Sequence, residues 1–146
     1  MWDWMLLMSD KIRVLFICTH NSARSQMAEG FLRHLAGDRF DVYSAGTEAT
    51  SIRPEAIFVM NEIGIDISGQ KSKTLHGYLP ERWDYVITVC DDANESCPVF
   101  PGTSERSHWS FPDPSKATGS EEARVSAFRD VRDQVAGRVR TFASAA

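Results

Sequence analysis

A short apolar run, followed at once by a polar loop and a helical pattern, constrains the fold of this chain most strongly. Residues 13–18, Arg-Val-Leu-Phe-Ile-Cys, form an almost continuous apolar segment, which is typical of a strand buried on both faces. Apolar side chains then recur at helical spacing from Met27 to Leu35, and Gly37 follows as a helix-ending residue. A buried strand that leads directly into a helix predicts a βαβ unit and therefore a parallel sheet.

The rest of the chain continues this alternation of strand and helix patterns. Further strands are predicted at residues 41–46 and 83–90, with a short strand near 107–109. Further helices are predicted after Pro54 and over residues 120–142. We therefore predict an α/β fold with a small, mainly parallel sheet of about four strands and with helices on both faces.

One domain accounts for the chain, because 146 residues are enough for one sizeable core and short for two. We predict a single catalytic domain over 11–142, a flexible N-terminal extension over 1–10 and a frayed tail over 143–146. The apolar start is too short for a secretory segment and lacks a basic flank. Met8 stands just before the patterned region, so the native start is expected at either Met1 or Met8.

The charge balance and the cysteine count exclude several classes of protein. A formal net charge of −4 argues against binding nucleic acid through a general basic surface. No apolar run approaches the length of a membrane span. Three cysteines, Cys18, Cys90 and Cys97, lack the spacing of a disulfide framework or a zinc site. We therefore expect a cytoplasmic protein with reactive thiols and with no metal or cofactor.

The loop after Cys18 has the composition of an oxyanion site. Backbone N–H groups turned inward, at the N-terminus of the next helix, would surround a tetrahedral anion. Arg24 adds a planar fork that binds two oxygens at once, and Asn21 suits a left-handed turn. In this field we expect a lowered pKa for the Cys18 thiol, with Ser25 donating a hydrogen bond to the thiolate. The predicted anion-binding residues are Thr19, His20, Asn21, Ser22, Ala23 and Arg24.

Cys18 and Cys90 both fall at the carboxyl ends of predicted strands, where the ligand crevice of a parallel sheet lies. An alternative is that Cys18 is an inert buried thiol, but it leaves the strand, the loop and Arg24 unexplained. Cys90 alone fits a core thiol equally well, and Cys97 alone fits an incidental loop cysteine. The shared edge favours a common site for these thiols.

These motifs resemble the family that contains the low-molecular-weight protein tyrosine phosphatases and the arsenate reductases of the same fold. The shared elements are the loop from Cys18 to Arg24-Ser25 and an Asp-Pro pair, here Asp113-Pro114. The resemblance implies that Asp113 is the general acid. The Cys90–Cys97 pair resembles the thioredoxin-coupled arsenate reductases, and the Tyr-Tyr that typically follows Asp-Pro in the phosphatases is missing.

The resemblance implies a relay of three thiols with thioredoxin as the reducing partner. Cys18 attacks arsenate, with help from Arg24 and Asp113. Cys90 then attacks Cys18 and releases arsenite. Cys97 takes over the disulfide from Cys90, and thioredoxin restores the thiols. Glutaredoxin or a low-molecular-weight thiol remains open as the reductant, and a monomer is expected.

The alternative function is a phosphatase for phosphotyrosine or another phosphomonoester, which would use Cys18, Arg24 and Asp113. Arsenate and phosphate are alike in shape and charge, so the two activities differ only in the step after the first attack. A thiol resolves the adduct in a reductase, whereas water resolves it in a phosphatase. A weak phosphatase side activity is expected even if reduction is the main function.

Some members of the family bind a potassium ion beside the loop. Asn21, Glu29 and Ser44 match three of its ligand positions, and Lys73 stands at the fourth. We expect the Lys73 ammonium to occupy the place of the ion, next to Glu29 or Asn21, and activity to be independent of potassium. His20 is expected to face solvent.

Overall fold

The computed structural model describes residues 11–91 and 97–146, so the predicted N-terminal extension over 1–10 lies outside the described residues. The described strands are β1 (Ile12–Cys18), β2 (Phe40–Gly46), β3 (Trp83–Thr88) and β4 (Thr103–His108). The described α-helices are α1 (Arg24–Ala36), α2 (Pro54–Asn61) and α3 (Glu121–Ala145). Short 3-10 helices span Leu75–Tyr78 and Pro114–Lys116.

The four strands form one sheet in the order β2-β1-β3-β4, and every pairing is parallel. The α/β fold with a small parallel sheet is therefore confirmed. β1 is central, which explains its continuous apolar pattern: the side chains from Val14 to Ile17 are fully buried. Because all strands run the same way, Cys18 and the residues after Thr88 and His108 meet at one edge of the sheet.

Two strands differ from their predicted bounds. β3 ends at Thr88, two residues before Cys90, although Val89 still donates a hydrogen bond to the Ile17 carbonyl at 2.8 Å. β4 begins at Thr103 and lies at the edge of the sheet. Its sequence, Thr-Ser-Glu-Arg-Ser-His, has no apolar alternation, because an edge strand buries little of its surface.

α3 packs against α1 and α2 and closes the core with its last turns. The Phe142 ring lies 5.6 Å from that of Phe40 and 4.9 Å from that of Tyr85. The helix continues to Ala145, and Ala143 is buried. The helix predicted to end at residue 142 therefore continues to Ala145, because packing of Ala143 holds this last turn in the helix. Within residues 11–91 and 97–146, no helix has the length and hydropathy needed to cross a membrane.

Candidate active site

The loop between β1 and α1 wraps tightly over the carboxyl edge of the sheet. Cys18 ends β1 and is only 3% exposed. Asn21 has a φ of 50°, which confirms the predicted left-handed turn. The loop approaches β2 so closely that a Cβ added at Gly46 would lie 2.7 Å from the Thr19 carbonyl oxygen and 2.8 Å from the Asn21 nitrogen. A glycine at this position is what allows the loop to close on the sheet.

The buried Asn21 side chain fixes the loop through hydrogen bonds on both sides of its amide. Its Nδ2 donates to Ser25 Oγ at 2.8 Å and to Ser44 Oγ at 3.0 Å. Its Oδ1 accepts from Gln26 Nε2 and from the Lys73 backbone N–H, both at 2.9 Å. These bonds tie β2, α1 and the segment around Lys73 to one side chain, which holds the anion loop rigid.

Arg24 and Asp113 face each other across the site, as the sequence predicted. Arg24 Nη2 lies 3.6 Å from Asp113 Oδ2, and its Nη1 donates to the Phe111 carbonyl at 3.1 Å. The other oxygen of Asp113 accepts hydrogen bonds from the Ser115 backbone N–H at 3.0 Å and from the Ser115 hydroxyl at 2.6 Å. An oxyanion bound by Arg24 would therefore lie within reach of the Asp113 carboxyl group.

The pKa of Asp113 is lowered from its ordinary value. Burial acts to raise it, but the Ser115 hydroxyl, Arg24 and the Ser115 N–H together outweigh burial. Asp113 is therefore a carboxylate beside Arg24. A carboxylate can act as an acid only after it has taken up a proton.

Cys90 follows β3 and is buried beside the loop. Its Sγ lies 3.3 Å from Thr19 Oγ1, and its thiol is hydrogen-bonded to Cys18. The neighbouring strand ends thus bring two of the three thiols together, as predicted. No disulfide joins them.

The pKa of Cys18 is raised well above its usual value, which corrects the expectation of a lowered one. The hydrogen bond that the Cys18 thiol donates to Cys90 is the largest cause and burial the second, while Arg24 and the Ser25 backbone N–H act in the opposite direction. Two thiols in contact cannot both lose their protons easily, because the second thiolate would face the first in a medium of low dielectric. The contact from Ser25 to Cys18 comes from its backbone N–H, whereas its hydroxyl accepts from Asn21.

Cys97 lies apart from the cleft. It is buried, and its thiol donates to the Pro98 carbonyl at 3.4 Å. Burial raises its pKa, although the charge of Arg106 opposes this. The intervening residues 92–96 lie outside the described residues. The structure brings Cys18 and Cys90 together and does not place Cys97 in the lining of the cleft.

A polar cleft of about 530 Å³ opens above the loop. His20 lies at its rim and is largely exposed, as expected, with its Nε2 3.2 Å from Glu48 Oε2. In the part of the chain that the structure describes, no three His, Cys, Asp or Glu side chains are grouped as a metal site requires. The lining residues are Thr19, His20, Arg24, Cys90, Asp91, Ser110, Phe111, Pro112, Asp113 and Lys116.

The position next to Glu29 is filled differently from the prediction. Glu29 accepts a hydrogen bond from Ser44 and pairs with Arg33, whose Nη2 lies 2.6 Å from Glu29 Oε2. The Lys73 ammonium instead donates to the Lys71 carbonyl. Lys73 reaches the loop through its backbone N–H alone. The cation that pairs with Glu29 is therefore Arg33, four residues along the same helix.

The sequence analysis did not predict the residue that hydrogen-bonds to Asp113, or the contacts that link the ends of β3 and β4. Asp113 caps the 3-10 helix Pro114–Lys116 by accepting from Ser115, a role that the Asp-Pro-Ser pattern could have indicated, because Asp commonly accepts from the backbone two residues on. His108 and Ser110 both contact Asp91 at the cleft. That set depends on the alignment of β3 with β4, which the polar sequence of β4 did not reveal.

Comparisons with known proteins agree with this geometry. The family described as low molecular weight phosphotyrosine protein phosphatase matches residues 13–146. The arsenate reductase of Shouchella clausii is 49% identical over 136 residues, which are 93% of this chain and 97% of that protein. A solved arsenate reductase in the phosphate binding state is 36% identical, with a TM-score of 0.78 over 90% of this chain and 95% of that one.

A second solved structure, the thioredoxin-dependent arsenate reductase of Corynebacterium glutamicum, is 31% identical with a TM-score of 0.70. The match covers 94% of this chain and 62% of that one. The family match, the identity to named relatives and the loop geometry all indicate the same group of proteins. The chain therefore belongs to the low molecular weight phosphotyrosine protein phosphatase family, within the group whose members are named arsenate reductases.

Proposed function

We propose that this chain reduces arsenate to arsenite through a relay of Cys18, Cys90 and Cys97. The observation that carries the proposal is the contact between the Cys18 and Cys90 thiols at the base of an oxyanion loop. A hydrolytic enzyme needs one nucleophile there and a path for water. A second thiol within hydrogen-bonding distance of the first is what a reductive step requires.

The first step forms a bond between Cys18 and arsenic. The loop N–H groups and Arg24 bind the arsenate oxygens, and the Cys18 thiolate attacks the arsenic(V) centre. The Cys18 proton passes first to the bound arsenate and from it to the Asp113 carboxylate, and Arg24 and the Ser25 N–H both favour its loss from Cys18. Asp113 gives a proton to the departing oxygen, which leaves as water.

The second step reduces the arsenic. The Cys90 thiolate attacks the Cys18 sulfur, so a sulfur–sulfur bond forms and the sulfur–arsenic bond breaks. The electron pair of that bond moves to arsenic, which leaves as arsenite, arsenic(III), while the two thiols are oxidised to a Cys18–Cys90 disulfide. The placement of Cys90 beside Cys18 supports this step because the attack needs no long movement.

The third step passes the disulfide outward. The Cys97 thiolate attacks the Cys90 sulfur, and Cys18 leaves as a thiolate ready for another cycle. A dithiol of thioredoxin then reduces the Cys90–Cys97 disulfide and is itself oxidised. A thioredoxin-dependent relative of similar fold supports this choice of reductant. Because Cys97 is buried away from the cleft, this exchange requires one of the two sulfurs to move.

A phosphatase is the second candidate, and one observation favours it. Arg24 and Asp113 face each other over Cys18, which is sufficient for attack on a phosphomonoester and for protonation of its leaving group. Water would then resolve the adduct. This function leaves the Cys90 contact without a role, so we propose it only as a weak side activity.

The test is arsenite production with thioredoxin, thioredoxin reductase and NADPH, beside a phosphomonoester assay on the same sample. We expect sustained arsenite production and at most slow phosphate release. Cys97→Ser should stop sustained production and leave arsenate binding nearly intact. Rapid phosphate release without arsenite would overturn the reductase and favour the phosphatase.

A further inference from the structure

A chain of hydrogen bonds joins the ends of β3 and β4 directly beside Cys90. Thr88 Oγ1 lies 2.7 Å from His108 Nδ1, and His108 Nε2 lies 2.8 Å from Asp91 Oδ1. The Ser110 hydroxyl donates to the same Asp91 oxygen at 3.2 Å. Thr88 and His108 are paired in the sheet register, and Asp91 is the residue after Cys90.

The orientation of the imidazole follows from its two neighbours. With a neutral ring, the Thr88 hydroxyl donates to Nδ1 and the Nε2–H donates to Asp91. The hydrogen bond from His108 is the largest cause of the lowered pKa of Asp91, with that from Ser110 second. Asp91 is thus held as a carboxylate between two donors of the opposite strand end.

Cys90 is therefore fixed from both sides of its backbone. On one side, Val89 donates to the Ile17 carbonyl and Trp109 donates to the Thr88 carbonyl, both at 2.8 Å. On the other side, the Asp91 carboxylate is tied to His108 and Ser110. The Cys90 sulfur lies between these anchors and points to Cys18.

We propose that Asp91 and His108 form a clasp that positions the Cys90 sulfur for its attack on Cys18. The proposal rests on the relay described under the proposed function. Both are positioning residues, since they act through the backbone next to Cys90. The Asp91 side chain is 75% exposed, and charged contacts at such exposed positions usually contribute little stability. The role of this pair is therefore in geometry, because small displacements of a reacting group lower its rate steeply.

Asp91→Asn and Asp91→Ala separate geometry from charge. Both remove the negative charge, which acts on Arg24 in the same cleft. The asparagine oxygen can still accept from His108 and Ser110, so Asp91→Asn keeps the clasp, whereas Asp91→Ala breaks it. Any change in arsenate affinity that comes from charge alone will be common to both variants.

The experiment is a single turnover with arsenate in the Cys97→Ser background, in which the relay stops at the Cys18–Cys90 disulfide. We expect Asp91→Ala to release arsenite roughly 10-fold to 100-fold more slowly than the parent, and Asp91→Asn to stay close to the parent. Asp38→Ala is the control, because Asp38 is exposed and lies far from Asp91 along the chain. This variant should match the parent. Equal rates for Asp91→Ala and Asp91→Asn would overturn the clasp alone, whereas no arsenite from the parent would overturn the relay and the clasp with it.

A second readout uses the chain with all three thiols. After one turnover without thioredoxin, the Cys18–Cys90 and Cys90–Cys97 disulfides are quantified by peptide mapping. Breaking the clasp removes what holds Cys90 beside Cys18, so Asp91→Ala should shift the ratio toward Cys90–Cys97, and Asp91→Asn should not. An unchanged ratio in Asp91→Ala would count against the positioning role.

Discussion

Cys18 lies between two opposing influences. Arg24 and the Ser25 N–H favour its thiolate, while the Cys90 thiol and burial favour the protonated form and together prevail. Cys18 in the resting site is therefore a thiol rather than an activated thiolate. The Cys18 thiolate forms when Cys90 moves away or when a proton acceptor, such as a bound oxyanion, is present.

Cys90→Ser should lower the pKa of Cys18, because it removes the largest cause of the raised value. Alkylation of Cys18 by iodoacetamide should then become fast at a lower pH than in the parent chain. Cys97→Ser is the matched control, since Cys97 lies outside the cleft lining. Identical pH profiles for Cys90→Ser and the parent would contradict this assignment of the cause.

Asp113→Asn should slow the first step roughly 100-fold, because the amide keeps the Ser115 contacts but cannot donate the proton to the departing oxygen. Binding of arsenate should be retained or strengthened, since Arg24 loses a competing carboxylate. Rapid-quench detection of the Cys18 adduct measures the step. An unchanged rate of adduct formation would remove Asp113 from the role of acid.

At this scale, the sequence identified Cys18, Arg24 and Cys90 as one site, because a motif and the edge of a parallel sheet point to the same place, and the family resemblance added Asp113. It missed the sign of the Cys18 pKa shift. That sign depends on the separation of two sulfurs from different strands, and no spacing along the chain encodes it.

One buried side chain, Asn21, links the loop between β1 and α1 to β2, to α1 and to the segment around Lys73. Asn21→Ala removes the hydrogen bonds that the Asn21 side chain makes to Ser25, Ser44, Gln26 and the Lys73 N–H. It also leaves alanine, which has no side-chain amide to stabilise this conformation, at a positive φ. We expect a loss of roughly 2–5 kcal/mol in the free energy of unfolding. Urea denaturation measures it, and a loss below about 0.5 kcal/mol would show that the network does not fix the loop.

The contact between α1 and β2 includes a cationic side chain, Arg33. Because Arg33 pairs with Glu29, replacing sodium by potassium at constant ionic strength should leave kcat/KM for arsenate unchanged. Repeating the comparison of sodium with potassium on Arg33→Ala tests whether the pairing of Arg33 with Glu29 is the reason for this independence. A clear rise with potassium in the unaltered chain would contradict the prediction.

The elements were predictable where burial imposes a pattern. β1 is apolar throughout because it is central, and α3 shows its apolar stripe because it packs on two helices. The bounds of β4 were predicted incorrectly, because an edge strand tolerates polar side chains and so shows no clear pattern in the sequence. The end of α3 was placed too early, since Ala143 gives no strong signal in sequence although it is buried.

For the whole molecule, the parallel sheet explains why distant segments share one site. The ends of β1 and β3 hold two thiols, and the loop after β4 supplies Asp113. Thioredoxin as the reductant remains our proposal, supported by a thioredoxin-dependent relative and by the Cys90–Cys97 pair. Cys97 is not among the residues that line the cleft, so the proposed relay carries the disulfide out of the cleft.

In the proposed relay, Cys90 rather than water resolves the adduct on Cys18, and every later step depends on this one. The most direct measurement is non-reducing peptide mapping of the Cys97→Ser chain after it has reacted with arsenate. We expect about one arsenite per chain together with a Cys18–Cys90 disulfide. Continued turnover of this variant with thioredoxin, or arsenite release with both thiols still free, would contradict the relay.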